Sequence, residues 1–143
     1  MADTMQFDLV SPERRLASVP ATEVRVPGMD GDLTVMPGHA PVISTLRPGI
    51  LRVLGPEGEM EFAVTGGFVE VTATACTVLA ERALPAREVT QAAFDDMMSE
   101  FRARHTAARD ANPPGPTDEI VKLMGDLVAV GTHIGLDPKQ PNL

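Results

Sequence analysis

Along residues 5–84 apolar positions recur at every second residue. Met5, Phe7 and Leu9 alternate with Gln6 and Asp8; Val24 and Val26 flank Arg25; Leu33 and Val35 flank Thr34; Phe62 and Val64 flank Ala63. Val69, Val71, Ala73 and Ala75 alternate with Glu70, Thr72 and Thr74. Successive side chains of an extended strand point to opposite faces, so this period predicts short antiparallel strands with one wet and one buried face. Pro27-Gly28, Pro37-Gly38 and Pro48-Gly49 punctuate the run. Each pair suits a type II turn, in which proline presets φ and glycine accepts a positive one. Gly55-Pro56-Glu57-Gly58 is expected to close a hairpin between strands near Ile50–Leu54 and Glu59–Val64. Many short strands with no helix between them predict a sandwich or flattened barrel.

After Pro85 the period lengthens. Phe94, Met97, Met98, Phe101, His105 and Ala108 recur at three and four residues and form one apolar stripe of a helix. Thr90 is its expected N-cap. Asp95, Asp96 and Glu100 precede Arg102, Arg104 and Arg109, in keeping with the helix dipole. Asn112-Pro113-Pro114-Gly115-Pro116 must stop that helix. Thr117 is then expected to cap a second one, with Asp118 and Glu119 in its first turn. Ile120, Leu123, Met124, Leu127, Val128 and Val130 would form its apolar face, and Gly131 or Gly135 its end. The tail Asp137–Leu143 is expected to fray. The predicted class is α+β: an N-terminal antiparallel β-sandwich or flattened barrel at residues 1–86, then a C-terminal antiparallel two-helix hairpin at residues 87–143.

Composition narrows the function. The net charge is −8, the Lys and Arg residues do not cluster, and five Phe are the sole aromatics. Phosphate backbones need clustered cations and exposed bases need stacking platforms, so no nucleic-acid partner is expected. The single cysteine, Cys76, cannot form an intramolecular disulfide and lies in the apolar run Ala75–Ala80, where it reads as a buried, inert thiol. Residues 1–10 lack the pattern of a secretory or transit leader. The longest charge-free run, Leu33–Leu46, is shorter than the ~18 residues of a membrane span, so a soluble chain without direct membrane insertion is expected.

Candidate chemistry is sparse. His39, His105 and His133 stand far apart, in no spacing that suggests a metal site. Asp30 and Asp32 could be imagined as a carboxylate pair, but an exposed acidic loop is the simpler reading. Gly66-Gly67 opens a strand rather than a helix, so it does not form a phosphate cradle. No catalytic, cofactor or metal residue is assigned. The loops between Pro27 and Gly49 carry Asp30, Asp32 and His39 on a rigid scaffold; a binding surface and ordinary hairpin ends both fit that pattern.

The succession VPGMDGDLTVMPGHAPVISTLRPGILRV, then FAVTGGFVEVTATACTVLAERAL, resembles the N-terminal domain of the epsilon subunits of F-type ATP synthases, the counterparts of the mitochondrial delta subunit. The opening FDLVSPERRLASVPATEVRVPG fits as well, and PGHAP, LRPG and GGFVEV occur in the family's order and spacing. The resemblance implies a β-sandwich followed by a helical hairpin. It also implies a non-catalytic subunit of the rotor stalk, bound to the gamma subunit and to the polar loops of the membrane c-ring. Such a subunit sits peripherally on the cytoplasmic face of a bacterial inner membrane and passes rotation to the catalytic head. The resemblance assigns Gly28, Met29, Asp30, Gly31, Asp32 and His39 to the c-ring contact, and Ser11, Pro41, Val42 and Ser44 to the gamma contact.

The C-terminal half departs from the family. Where many bacterial relatives carry an Ile/Leu-Asp-x-x-Arg-Ala nucleotide motif, Val89-Thr90-Gln91-Ala92-Ala93-Phe94 has neither the acid nor the arginine. That argues against bound ATP, although Arg102, Arg104 and Arg109 could line a weak site. From Thr117 onward four acids face two lysines, Lys122 and Lys139. Such a helix is a poor match for the acidic alpha/beta head, so weak regulation of hydrolysis is expected. The alternative reading is a free-standing β-sandwich adaptor whose hairpin dimerises it.

Overall fold

A computed structural model describes residues 3–137, so residues 138–143, most of the tail expected to fray, lie outside the described residues. The chain forms two compact units, Met1–Arg87 and Glu88–Leu143. The first holds ten strands: β1 (Met5–Val10), β2 (Arg15–Ala21), β3 (Glu23–Gly28), β4 (Gly31–Val35), β5 (Val42–Leu46), β6 (Gly49–Gly55), β7 (Gly58–Val64), β8 (Gly67–Val71), β9 (Ala75–Ala80) and β10 (Ala83–Pro85). They pair in the order β10-β7-β6-β3-β5-β8-β9-β1-β2, with β4 on the other edge of β3.

β3 turns the corner between two layers. Its residues Glu23–Arg25 pair with Arg52–Leu54 of β6, whereas its last residue, Gly28, pairs with Leu46 of β5. β2 runs into β3 through Thr22, whose N–H donates to the Leu54 carbonyl at 2.8 Å. The sheet therefore nearly closes on itself. Inside it lie the residues of the inward phase, among them Phe7, Leu9, Val24, Val26, Leu51, Val53, Phe62, Val64, Val69, Val71, Cys76 and Val78, all essentially without solvent contact. Burying each large aliphatic or aromatic side chain contributes about 1.5–3 kcal/mol before chain entropy is charged against it.

The alternation thus predicts the buried face correctly, and Gly55 pairs with Gly58 as the hairpin expected there. Other expectations need correction. β1 pairs antiparallel with β2 but parallel with β9, Phe7 lying opposite Cys76, so the sheet is mixed. The run from Val69 to Ala75 is not one strand: it breaks at Thr72, whose Oγ1 accepts from the N–H groups of Thr74 and Ala75 at 3.4 and 3.1 Å. That local bond offers the backbone a turn in place of the ladder. β2, β5 and β10 are further strands that the alternation does not single out.

Of the three Pro-Gly pairs, one behaves as expected, with Gly38 at φ +87°. Gly28 and Gly49 lie in strands without positive φ. A side chain there would collide: a Cβ on Gly28 would stand 2.5 Å from the Gly31 carbonyl oxygen, and one on Gly49 would meet the Pro27 ring. Glycine serves close approach at these two positions, not turn geometry.

The second unit holds helices α1 (Gln91–Asp110) and α2 (Asp118–His133). Thr90 caps α1, its Oγ1 accepting from the Ala93 N–H at 3.1 Å. Phe94, Met97, Met98, Phe101 and His105 are buried along the expected stripe. Thr117, in contrast, adopts helical angles and makes no side-chain cap. α2 buries Ile120, Leu123, Met124, Leu127 and Val130. It ends at Gly135, φ +79°, with the Leu136 N–H on the Gly131 carbonyl and the Gly135 N–H on that of Thr132. This is a Schellman closure. Gly131 lies inside the helix, where a Cβ would stand 2.6 Å from the Phe94 ring, so glycine serves close packing there. The helices run antiparallel, Phe94 packing at Gly131 and Gly115 against Ala108. At the open end the Gln91 side chain accepts from the Asp137 N–H at 2.9 Å and donates to its carbonyl at 3.0 Å.

Candidate docking surface

β3 and β4 form a hairpin with Met29 and Asp30 at its tip, Gly28 pairing with Gly31 below them. Gly31 takes φ +138°, a conformation that L side chains resist. The neighbouring strand anchors the tip, because the Met29 N–H donates to the Thr45 carbonyl at 2.8 Å. Asp30 and Asp32 are both exposed. Asp32 accepts from Arg47 Nη2 at 2.5 Å, and Arg47 Nη1 donates to the Gly28 carbonyl at 2.6 Å.

Of the other sequence-assigned residues, Val42 and Ser44 lie on β5, and Pro41, His39 and Ser11 lie in the links between strands. A Cβ at Gly28 would stand 3.6 Å from Ser44 Oγ, so Ser44 adjoins the hairpin. Val42 is half-buried and Pro41 exposed at the far end of β5. His39 lies beyond that end, and the structure does not bring it beside residues 28–32. Its N–H donates to the Met36 carbonyl, its Nδ1 donates to that of Ala40 at 2.7 Å, and Gly38 N–H reaches Ala73 O. His39 is therefore built into a turn. Ser11 is buried; its Oγ donates to the Arg14 carbonyl at 3.3 Å, closing the link between β1 and β2.

What the sequence reading missed is the outer face of β5, β8 and β9. Ile43, Phe68 and Leu79 are large apolar side chains that remain 73%, 55% and 52% exposed. Phe68 stands opposite Leu79, and Thr45 opposite Phe68; half-buried Val10 lies beside Leu79 on the next strand. Contiguous exposed apolar side chains are a feature that docking surfaces share. The signal was available: Phe68 and Leu79 occupy the solvent phase of an alternation whose inward phase is Val69, Val71, Cys76 and Val78.

Burial pushes the Cys76 thiol up to about 12, so no thiolate forms near neutrality. Among the described residues no group of three His, Cys, Asp or Glu is arranged to hold a metal, and no helix is long and apolar enough to cross a membrane.

A family profile described as the ATP synthase delta/epsilon chain beta-sandwich domain matches residues 4–86. The chain is 57% identical to an ATP synthase epsilon chain of Paracoccus denitrificans over 99% of its own length and 98% of the relative's. It is 58% identical to that of Rhodobacter capsulatus over 95% of this chain and 100% of the relative. Among solved structures, a chain of the Euglena gracilis mitochondrial ATP synthase, in its OSCP/F1/c-ring assembly, superposes with a TM-score of 0.67. That match has 17% identity and covers 92% of this chain and 81% of that one, a likeness of fold. The strand order, the two helices and the matched relatives lead to one conclusion: the chain belongs to the epsilon-chain family of F-type ATP synthases.

Proposed function

We propose that the chain is a non-catalytic central-stalk subunit of a proton-translocating F-type ATP synthase, coupling rotation of the c-ring to the alpha/beta head through gamma. It works peripherally, at the cytoplasmic face of a bacterial inner membrane. The exposed pair Phe68–Leu79, with Ile43 one pair further along β5 beside Glu70, carries this reading. A rotor subunit must hold a partner firmly, and an apolar cluster at the centre of a face supplies most of an interface's energy. The acidic tip at Asp30 and Asp32 suits basic groups on the ring's loops, fixing orientation more than adding affinity. A close-packed sandwich transmits force with little deformation. Its partners are gamma and the c-ring, and it takes no cofactor.

The hairpin regulates weakly. α2 carries Asp118, Glu119 and Asp126 against Lys122, so an acidic partner surface gains little from it. Reconstitution with gamma and the catalytic head tests both parts. The chain should travel with gamma, and removing residues 88–143 should leave ATP hydrolysis nearly unchanged. A chain that ignores gamma would be the free-standing adaptor; strong activation on truncation would make the hairpin an inhibitor.

A further inference from the structure

We infer that Gln91 is a latch: its carboxamide ties the segment that follows α2 to the first turn of α1 and closes the open end of the helical hairpin without a ligand. The inference stands apart from the stalk reading, because every contact in it lies inside the helical unit. The two ends of the hairpin are held differently. At one end residues 111–117 join the helices covalently; at the other α1 begins and α2 ends with no chain between them. Only non-covalent contacts can close that end. The Phe94 ring packs at Gly131, where the missing side chain lets the helices approach. Beyond it the chain leaves α2 through Gly135, φ +79°, and the Leu136 N–H returns to the Gly131 carbonyl at 2.9 Å. That reversal brings Asp137 back to the start of α1.

Both polar atoms of the Gln91 side chain are then used. Oε1 accepts from the Asp137 N–H at 2.9 Å, and Nε2 donates to the Asp137 carbonyl at 3.0 Å. Nε2 also donates to Asp95 Oδ1 at 2.9 Å, one helical turn on, which aims the amide. The first two bonds copy the pair that facing residues exchange across an antiparallel ladder, with a side-chain amide standing in for one strand. The contact needs one acceptor and two donors at that reach. Ionised glutamate has no donor, asparagine is one methylene shorter, and methionine has the shape without the polar atoms. Residues 89–94 lack the acid and the arginine of the nucleotide motif. In the fold, Gln91 within that stretch binds the chain's own backbone instead.

Amide hydrogen exchange on the full-length chain tests the latch. Gln91 is the first helical residue and only half-buried, so neither of two variants, Gln91→Met and Gln91→Glu, threatens folding. Both should speed exchange of the Ile134, Gly135 and Leu136 amides by about tenfold, for the loss of two modest hydrogen bonds. The Ile120 and Val121 amides, beside the covalent link, should keep their wild-type rates. Adding ATP to the wild type should change none of these rates. Wild-type exchange at Gly135 and Leu136 in Gln91→Met would show that the carboxamide holds nothing. Wild-type exchange there in Gln91→Glu would show that the donors are dispensable. Equal acceleration along the whole of both helices would make Gln91 a general stabiliser rather than a latch. Slower exchange with ATP would mean that a ligand, not the fold alone, completes the closure.

Discussion

Across β5, β8 and β9 the outward positions hold Ile43, Phe68 and Leu79 with Thr45 and a single acid, Glu70, among them; across β3, β6 and β7 they hold Glu23, Arg25, Arg52, Glu59 and Glu61. The second set satisfies itself. Arg25 Nε lies 2.8 Å from Glu23 Oε2, and Arg52 reaches both Glu59 and Glu61. The hydrogen bond that Arg52 donates to the Glu59 carboxylate holds its guanidinium above its ordinary pKa. Two faces of one sandwich, sharing a core, thus meet water on different terms. A face whose charges are already paired needs no partner, and a face of uncovered apolar groups gains free energy when one arrives. That difference supports the apolar side as the docking side of the proposed stalk subunit.

Breaking the apolar face should have the largest effect. Phe68→Asp places a charge at its centre and should weaken gamma binding about a hundredfold, a hot-spot loss, with the melting temperature nearly unchanged. Titration calorimetry or co-sedimentation with gamma checks this. If the same loss followed from Arg52→Ala, the contrast between the faces would be wrong.

The shared core sharpens the contrast from beneath. Cys76 lies under the apolar face, and burial lifts its pKa from 9.0 to about 12. An unfolded thiol releases its proton near 9 while the folded one keeps it, so this contribution is complete below pH 9 and is lost as pH climbs towards 12. The loss amounts to about 3–4 kcal/mol at most. The chain contains no Tyr and two Lys, so few other groups titrate in that window. Urea unfolding between pH 8 and 11 should show falling stability for the wild type and a much flatter profile for Cys76→Ala.

Smaller effects distinguish the helix starts. Thr90→Ala should cost about 1 kcal/mol through loss of the bond to Ala93, whereas Thr117→Ala, which breaks no cap, should cost a few tenths. Thermal unfolding of both variants reads the difference. Smallest of all, Arg52→Ala on the ion-paired face should leave both the melting temperature and gamma binding nearly unchanged.

Much of the fold is legible because backbone period is local. The inward residues of β1, β3, β6 and β7, and the stripe of α1, follow from spacing alone. The docking side was only half legible. Its acidic tip stood out in the loop chemistry around Pro27-Gly28, but Phe68 and Leu79 hid within strands that otherwise read as ordinary core segments. β2 is masked by its charged start and by Pro20, which blur the alternation, and β5 by flanking prolines that frame it as a loop.

What the sequence by itself determined is which residues go inside and where the chain must turn, since both depend on neighbours a few residues away. Tertiary structure decided everything set by distant partners. It paired β1 in parallel with β9, gave Arg47 to Asp32, and denied a side chain to Gly28, Gly49 and Gly131 because another strand, a proline ring or the Phe94 ring already fills the space. It also left Phe68 and Leu79 in water, side by side. Their adjacency comes from strand pairing between residues eleven positions apart, and no local period encodes it.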